Sequence, residues 1–489
     1  MLFFLFFSML LLAPVLQGFW SFQTQFIFEA AVFLTGGLWL FKRILSSGLP
    51  QSLLEKKNLP LLGAAFFSLL GAVLSPVRTL VIADWWSFFF GLFILVIAGF
   101  LTTEQREKTD WALRLAAWLM AALSLYQAFI LKSADISASL TNPNALALFT
   151  LMLIPMAFLW RDFLLLGALI IVLACTRSMA ALLAILAVAC FYAKDNIRKD
   201  GFRTNWPLFA VLACAAAFAL WQIEPRSVLD RLLWWGAALK MFTDNPLLGF
   251  GQGAFAWLYP AYHHPAADGL SSVYVHNYFI EFLAENGILV FVCWFWAVFS
   301  RLKAIKDVRK YAVIAALVHS VADFGLAVPA NFFIFCYILS GPQKENSAGI
   351  KPDRKPLMVL AALAVMILAQ APGILLKQLR LEQMHDSALS AYSAGNYASA
   401  AKTLDTAATA APQNPLIPRL QGQIWLKAGM AKKDRNMLFR SAVALERSLF
   451  LNPYDSGAYG DLEFIYDITG LDRPKNDLLG RKKEFFKWE

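Results

Sequence analysis

Apolar stretches of near-spanning length, about 17 residues or more, recur along this chain from Leu2 to Leu376, and they limit what it can fold into. Lipid offers no partner to a backbone amide or carbonyl, so only helices and closed barrels span it. Few segments alternate with period two, which leaves the helix as the spanning form. Composition agrees: 59% of residues are hydrophobic and 16% charged, against roughly 25% charged in soluble domains. The expected fold class is all-α, a polytopic membrane helical bundle of about 12–13 spans with a soluble helical-repeat C-terminal domain.

Spans are expected near 2–20, 26–41, 59–75, 80–102, 111–131, 144–160, 163–175, 179–193, 206–222, 276–299, 311–325, 328–341 and 357–376. The first lacks a basic leading region and a small-residue cleavage site, so it reads as a retained helix. With the N-terminus inside, Lys42, Arg43, Lys56 and Lys57, then Arg106, Lys108 and Arg114, then Lys194, Arg198, Lys199 and Arg203 all fall on one side. Arg301 to Lys310 and Lys344 to Lys355 join them, as the insertion bias requires. The net charge of +10 is therefore topological, and no nucleic acid is expected as a partner. The five cysteines are scattered through apolar segments and read as packing residues.

The same parity sends four features to the opposite face: Asn142 to Asn144, the Thr176-Arg177-Ser178 turn, a loop over 223–275, and everything after Leu376. The expected division is a membrane domain over 1–376 and a helical domain over 377–489. In the latter, Ala388, Tyr392, Gly395, Tyr397, Ala400, Ala401, Leu404, Ala407 and Pro412 resemble a tetratricopeptide helix pair. Gly395 and Gly429 stand one 34-residue repeat apart. Such arrays dock a partner or a substrate in a superhelical groove, or they serve as a stabilising cap.

The outer loop carries Arg226, Arg231, Trp234, Trp235 and Lys240 before Asp244-Asn245-Pro246-Leu247-Leu248-Gly249-Phe250-Gly251-Gln252-Gly253. Apolar spacing from Val228 to Phe242 predicts an amphipathic helix at the membrane surface that projects Arg231 and Lys240. The three glycines could offer amides to an anion, but turn-making is their simpler use. Arg177 is either an interfacial anchor or, with Arg231, one of two guanidinium forks suited to a diphosphate.

His276 opens the expected tenth span, followed by Asn277, Glu281 and Glu285 at four-residue intervals on one helix face. Carboxylates in an apolar span imply an internal cavity. His276 reads either as a capping residue or as a general base, its near-neutral titration suiting it to take a proton from a hydroxyl. His319 and Asp323 repeat the spacing in the eleventh span, as a supporting pair or one that satisfies itself. No metal-ligand motif stands out, and neither a metal nor another cofactor is expected.

Together these residues resemble the O-antigen ligase and polymerase superfamily of bacterial envelope glycan assembly. The resemblance rests on Asn142-Pro143-Asn144, Thr176-Arg177-Ser178, Arg231 through Trp235, Lys240-Met241-Phe242, Asp244 to Gly253, His276 through Glu281 to Gly287, and His319-Ser320-Val321-Ala322-Asp323. Its most specific part is Pro-Leu-Leu-Gly-x-Gly followed by His-Asn and Glu-x-Gly. Where the family usually reads Ser-Arg-Gly, this chain has Thr176-Arg177-Ser178.

The resemblance implies an inverting glycosyltransferase of the bacterial inner membrane with a periplasmic C-terminal domain. Its donor would be a glycan on undecaprenyl diphosphate, held by Arg177, Arg231 and Lys240. His276 would be the catalytic base, with Asn277, Glu281, Glu285, His319 and Asp323 in support. The acceptor would be lipid A-core (ligase), another glycan (polymerase) or a protein (O-oligosaccharyltransferase). A transporter or lipid flippase is the alternative of a different class, for which no internally related halves are evident.

Overall fold

A computed structural model describes residues 2–19, 22–47, 58–200, 225–264, 271–341, 376–377 and 379–487. Among them the regular elements are all helical. In order these are α1 (Leu2–Val15), α2 (Phe22–Ser47), α3 (Leu59–Leu74), α4 (Arg78–Ile97), α5 (Thr103–Leu125), α6 (Pro143–Leu159), α7 (Phe163–Cys175) and α8 (Met179–Asp200). The surface helices α9 (Pro225–Asp244) and α10 (Phe255–Tyr262) follow, then α11 (Tyr278–Ala304), α12 (Arg309–His319) and α13 (Pro329–Ser340). The expected amphipathic helix is α9.

Among the described residues three stretches are long and apolar enough to cross a membrane, Arg78–Phe100, Thr103–Ile130 and Tyr278–Ala304. Shorter apolar helices accompany them, among them Leu59–Leu74, Pro143–Leu159 and Pro329–Ser340. The expected spans at 206–222 and, but for Leu376, at 357–376 fall outside the described residues. The expected eleventh span needs correction: its helix stops at His319, and residues 320–328 form a turn with a short 3-10 segment at Gly325–Ala327. Ser320, Asp323, Gly325, Leu326 and Val328 are all buried there, so protein shields the irregular backbone, as lipid demands.

Side-chain ties distinguish the two ends of the bundle. At one end Arg106 donates to Ala98 O at 2.8 Å and Ser340 Oγ at 2.9 Å, Arg301 donates to Asn58 Oδ1, and Lys310 pairs with Asp195. At the other end stand the starts of α4, α6 and α11 and the turn after α12. α1 packs on α5, α11 on α3, α13 on α4, and α12 on both α6 and α8. Small residues on α5, Ala116, Ala117 and Ala121, are fully or nearly buried and let the helices approach closely.

The segment after α9 repairs a break in α11. Gly287 (φ 68°, ψ 176°) interrupts that helix, releasing amides and carbonyls that would otherwise pair within it. Ile288 N donates to Pro246 O at 2.8 Å, Leu289 N to Leu247 O at 3.3 Å, and Gly251 N to Glu285 O at 2.7 Å. The close approach requires glycine on both sides: a Cβ at Gly249 would strike Glu285 O, and one at Gly287 would strike Leu247 O. The glycine-rich run is thus a buried clip, its amides committed to protein acceptors rather than open to an anion.

The tail pairs helix 379–393 (α14) with α15 (Tyr397–Ala410), α16 (Leu416–Lys432) with α17 (Arg435–Leu451), and α18 (Ser456–Thr469) with α19 (Asp472–Phe485). Left-handed residues turn the chain within each pair: Gly395, Lys433 and Gly470, 38 and 37 residues apart. The expected 34-residue period is corrected accordingly. Gly395 lies in a turn, whereas Gly429 lies inside α16 against Leu438.

Replacing Gly249 with Ala combines a clash with a left-handed non-glycine residue, which alone costs about 1–2 kcal/mol. Gly167→Ala meets nothing within 4 Å and should be neutral or gain about 0.5–1 kcal/mol from the helix. Thermal unfolding in detergent should separate the two variants widely; equal stability would refute the clip.

Candidate active site

His276 is held in place from both sides rather than carried on a helix. Before it, Val275 N donates to Glu281 Oε2 at 2.7 Å. After it, Asn277 caps α11, its Oδ1 accepting from Phe279 N and Ile280 N at 3.1 Å, and Tyr278 N donates to Ser320 O at 2.9 Å. His276 takes up the turn between them with φ 54°, a left-handed conformation that costs about 1–2 kcal/mol in a non-glycine residue and tends to occur where function requires it. The expectation that His276 opens the span is corrected to a position just outside it.

Three side chains fix the imidazole. Trp234 of α9 stacks on it at 4.8 Å and 23°, and Phe324 meets it edge-on at 5.0 Å and 86°. Its Nδ1 lies 3.5 Å from Asp323 Oδ2, an ion-pair distance too long for a formed hydrogen bond. Asp323 is fully buried, and its Oδ2 also accepts from Asn144 Nδ2 of α6 at 2.7 Å. Asp323 therefore faces His276, and it also lies close enough to His319 for their charges to interact. The helix ends before the four-residue spacing can place His319 and Asp323 on one face, and both His319 nitrogens are buried without a hydrogen bond.

Glu281 and Glu285 do share a face of α11, and both are engaged by backbone amides. Glu281 accepts Val275 N, as above. Glu285 accepts Phe255 N at 3.0 Å and Gln252 Nε2 at 3.2 Å. Both carboxylates hold the outer segments against the span.

The basic residues divide. Arg231, Trp234, Ala238 and Met241 recur at helical spacing on α9, which sets Arg231 one turn from the residue stacked on His276. Its Nε is buried without a hydrogen-bond partner. Lys240 points elsewhere, donating to Lys487 O at 3.1 Å, so the structure does not bring it to His276. Arg177 is exposed in a left-handed turn, φ 51°. Leu173 and Ala181, flanking that turn, pack with Ala147 of α6 and Ala315 of α12, one helical turn from Asn144 and His319.

In front of His276 lies a cavity of about 780 Å³, walled by aromatic rings (Tyr259, Tyr274, Phe324) and hydroxyls (Thr141, Ser271, Ser272, Ser456). That volume lies within the range of small-molecule sites, about 300–1,000 Å³. Tyr274 stacks on Phe324 at 4.2 Å and 2°, and burial pushes its hydroxyl well above the ordinary tyrosine range, so it stays protonated. Asn144, Trp234, Tyr274 and Phe324 were not singled out as site residues from sequence. The Asn-Pro-Asn motif was the one available signal, since an Asn beyond the helix cap needs a partner elsewhere.

A family model described as O-antigen ligase matches residues 163–295. The match takes in Arg177, Arg231, His276, Glu281 and Glu285, and stops short of Asp323 and the tail. It supports an enzyme of glycan transfer related to O-antigen ligases, and the apolar helices make the chain an integral membrane protein. No curated protein matches the chain.

Glu281→Gln keeps an acceptor for Val275 N and should leave activity within about tenfold of the parent. Glu281→Leu leaves that amide unpaired at about 1–3 kcal/mol and should lose most activity or folded protein. Equal, severe loss of transfer in both variants at normal abundance would instead make the carboxylate chemical.

Proposed function

We propose that this chain transfers a glycan from undecaprenyl diphosphate to an acceptor hydroxyl at the periplasmic face of a bacterial inner membrane, as an inverting O-antigen ligase. The observation that carries this is the strained His276 on the wall of a sugar-sized cavity, with Asp323 behind its Nδ1. A proton on Nδ1, facing the carboxylate, leaves Nε2 as the ring's acceptor. Closure of the 3.5 Å gap to Asp323 on substrate binding would let the carboxylate hold that tautomer, as in a hydrolase triad.

The acceptor hydroxyl gives its proton to Nε2 while its oxygen bonds to the anomeric carbon. The bond from that carbon to the diphosphate oxygen breaks, and its electron pair leaves with the diphosphate. Attack from the opposite face inverts the centre. Arg231, with Arg177 at the same end of the bundle, neutralises the leaving group, since guanidinium matches phosphate oxygens bidentately. A diphosphate neutralised in this way needs no general acid, and the step uses neither metal nor cofactor.

Lipid A-core is the proposed acceptor. Polymerisation and protein glycosylation differ in which molecule brings the hydroxyl. The tail's helix pairs are read as a periplasmic tetratricopeptide-like domain open to a protein partner.

His276→Ala should remain in the membrane and lose about 10²–10⁴-fold in transfer, the usual contribution of a general base. Unchanged transfer would remove His276 from that role. Arg231→Lys keeps the charge but loses the planar fork, and should raise KM for the lipid-linked donor several-fold; an unchanged KM would defeat the donor site. Envelope glycans of a deletion strain distinguish the acceptors, with unligated full-length chains expected.

A further inference from the structure

Ser456, the first residue of α18, lines the same cavity as His276, although 180 positions separate them in the chain. The tail is seated firmly enough for that placement to matter. Lys487 N donates to Ala261 O at 3.0 Å, and Lys487 Nζ pairs with Asp244 Oδ2 at 3.0 Å. The same Asp244 oxygen accepts from Tyr262 OH at 2.8 Å. Farther along the tail, Thr79 Oγ1 donates to Gln413 O at 3.1 Å. Tail residues Tyr454, Tyr459 and Phe486 share one buried cluster with Phe255, Leu258 and Tyr259 of the outer loop.

The start of α18 is itself rigid. Asp455 caps it, accepting from Ala458 N at 3.0 Å, and pairs with Arg419 at 3.1 Å. Ser456 is therefore a fixed point on a wall and not the tip of a loose loop.

We propose that the tail forms one wall of the reaction cavity, with Ser456 contacting the saccharide held beside His276, so that the tail helps select which glycan is handled. The inference rests on the glycan-transfer reading above. Hydroxyls and aromatic rings around one space suit a sugar, whose hydroxyls need hydrogen-bond partners and whose ring carbons present apolar faces. A tail that served only to dock a partner protein would not need a residue in this space.

The test uses the full chain in detergent with the host's own lipid-linked glycan. Ser456→Ala should raise KM for the lipid-linked glycan about threefold through loss of one hydrogen bond, and Ser456→Trp should fall about tenfold or more through KM, because misplacing a bound substrate by an ångström is costly. Ser456→Cys gives a readout that does not depend on folding. Labelled with a polyethylene-glycol maleimide or with N-ethylmaleimide it should lose transfer relative to the same protein left unlabelled, with the parent chain treated identically to account for the native cysteines. Full activity after complete labelling with the large reagent would overturn the proposal. An inactive His276→Ala beside a fully active, labelled Ser456→Cys defeats the wall alone, whereas full transfer by His276→Ala defeats the underlying reading.

Discussion

The hydrogen bonds exchanged between Pro246–Gly251 and the break at Gly287 hold the outer half of the molecule in register. A helix broken within a span exposes amides and carbonyls, each costing several kcal/mol in lipid if left unpaired. The segment that meets them follows directly on α9, so satisfying the break also fixes α9 against α11. Trp234 can stack on His276 only because of that registration. The carboxylates of Glu281 and Glu285 extend the arrangement to Val275 and Phe255, one on the approach to the histidine and the other at the start of α10. The energetic requirement of the broken span and the placement of the imidazole are one problem with one solution.

Much of this was legible in the sequence, and what was not has a physical cause. Periodicity located α9 and put Glu281 and Glu285 on a shared face, because spacing along a helix dictates direction. Spacing does not say what waits in that direction, so it did not show that both carboxylates accept backbone amides of neighbouring segments. Between His319 and Asp323 the helix stops, and spacing alone did not show that Asp323 also lies beside His276. The approach of Asp323 to His276 joins segments separated by all of α11 and α12, and no local pattern encodes such a meeting. In the tail, Gly395 and Gly429 suggested a period, yet Lys433 occupies the left-handed turn that corresponds to Gly395. A turn of that kind favours glycine without requiring it.

The two ends of the bundle are built differently. Arginines at one end cross-link α3, α5, α11 and α13 through carbonyls, an asparagine and a serine, ties that close the helices around one another. At the other end the polar groups are spread over four separate segments, the start of α6, α9, the turn before α11 and the turn after α12. An opening between helix ends is where a cavity can form, and the imidazole sits on its wall.

The clip between residues 246–251 and 285–289 also has a direction in time. Synthesis runs from the N-terminus, so the carbonyls of Pro246 and Leu247 exist before Gly287 is added to the chain. The break in α11 therefore emerges after its acceptors have been made, beside a segment already able to complete it. In that order of synthesis, the earlier segment is in place to supply the hydrogen bonds on which the later one depends.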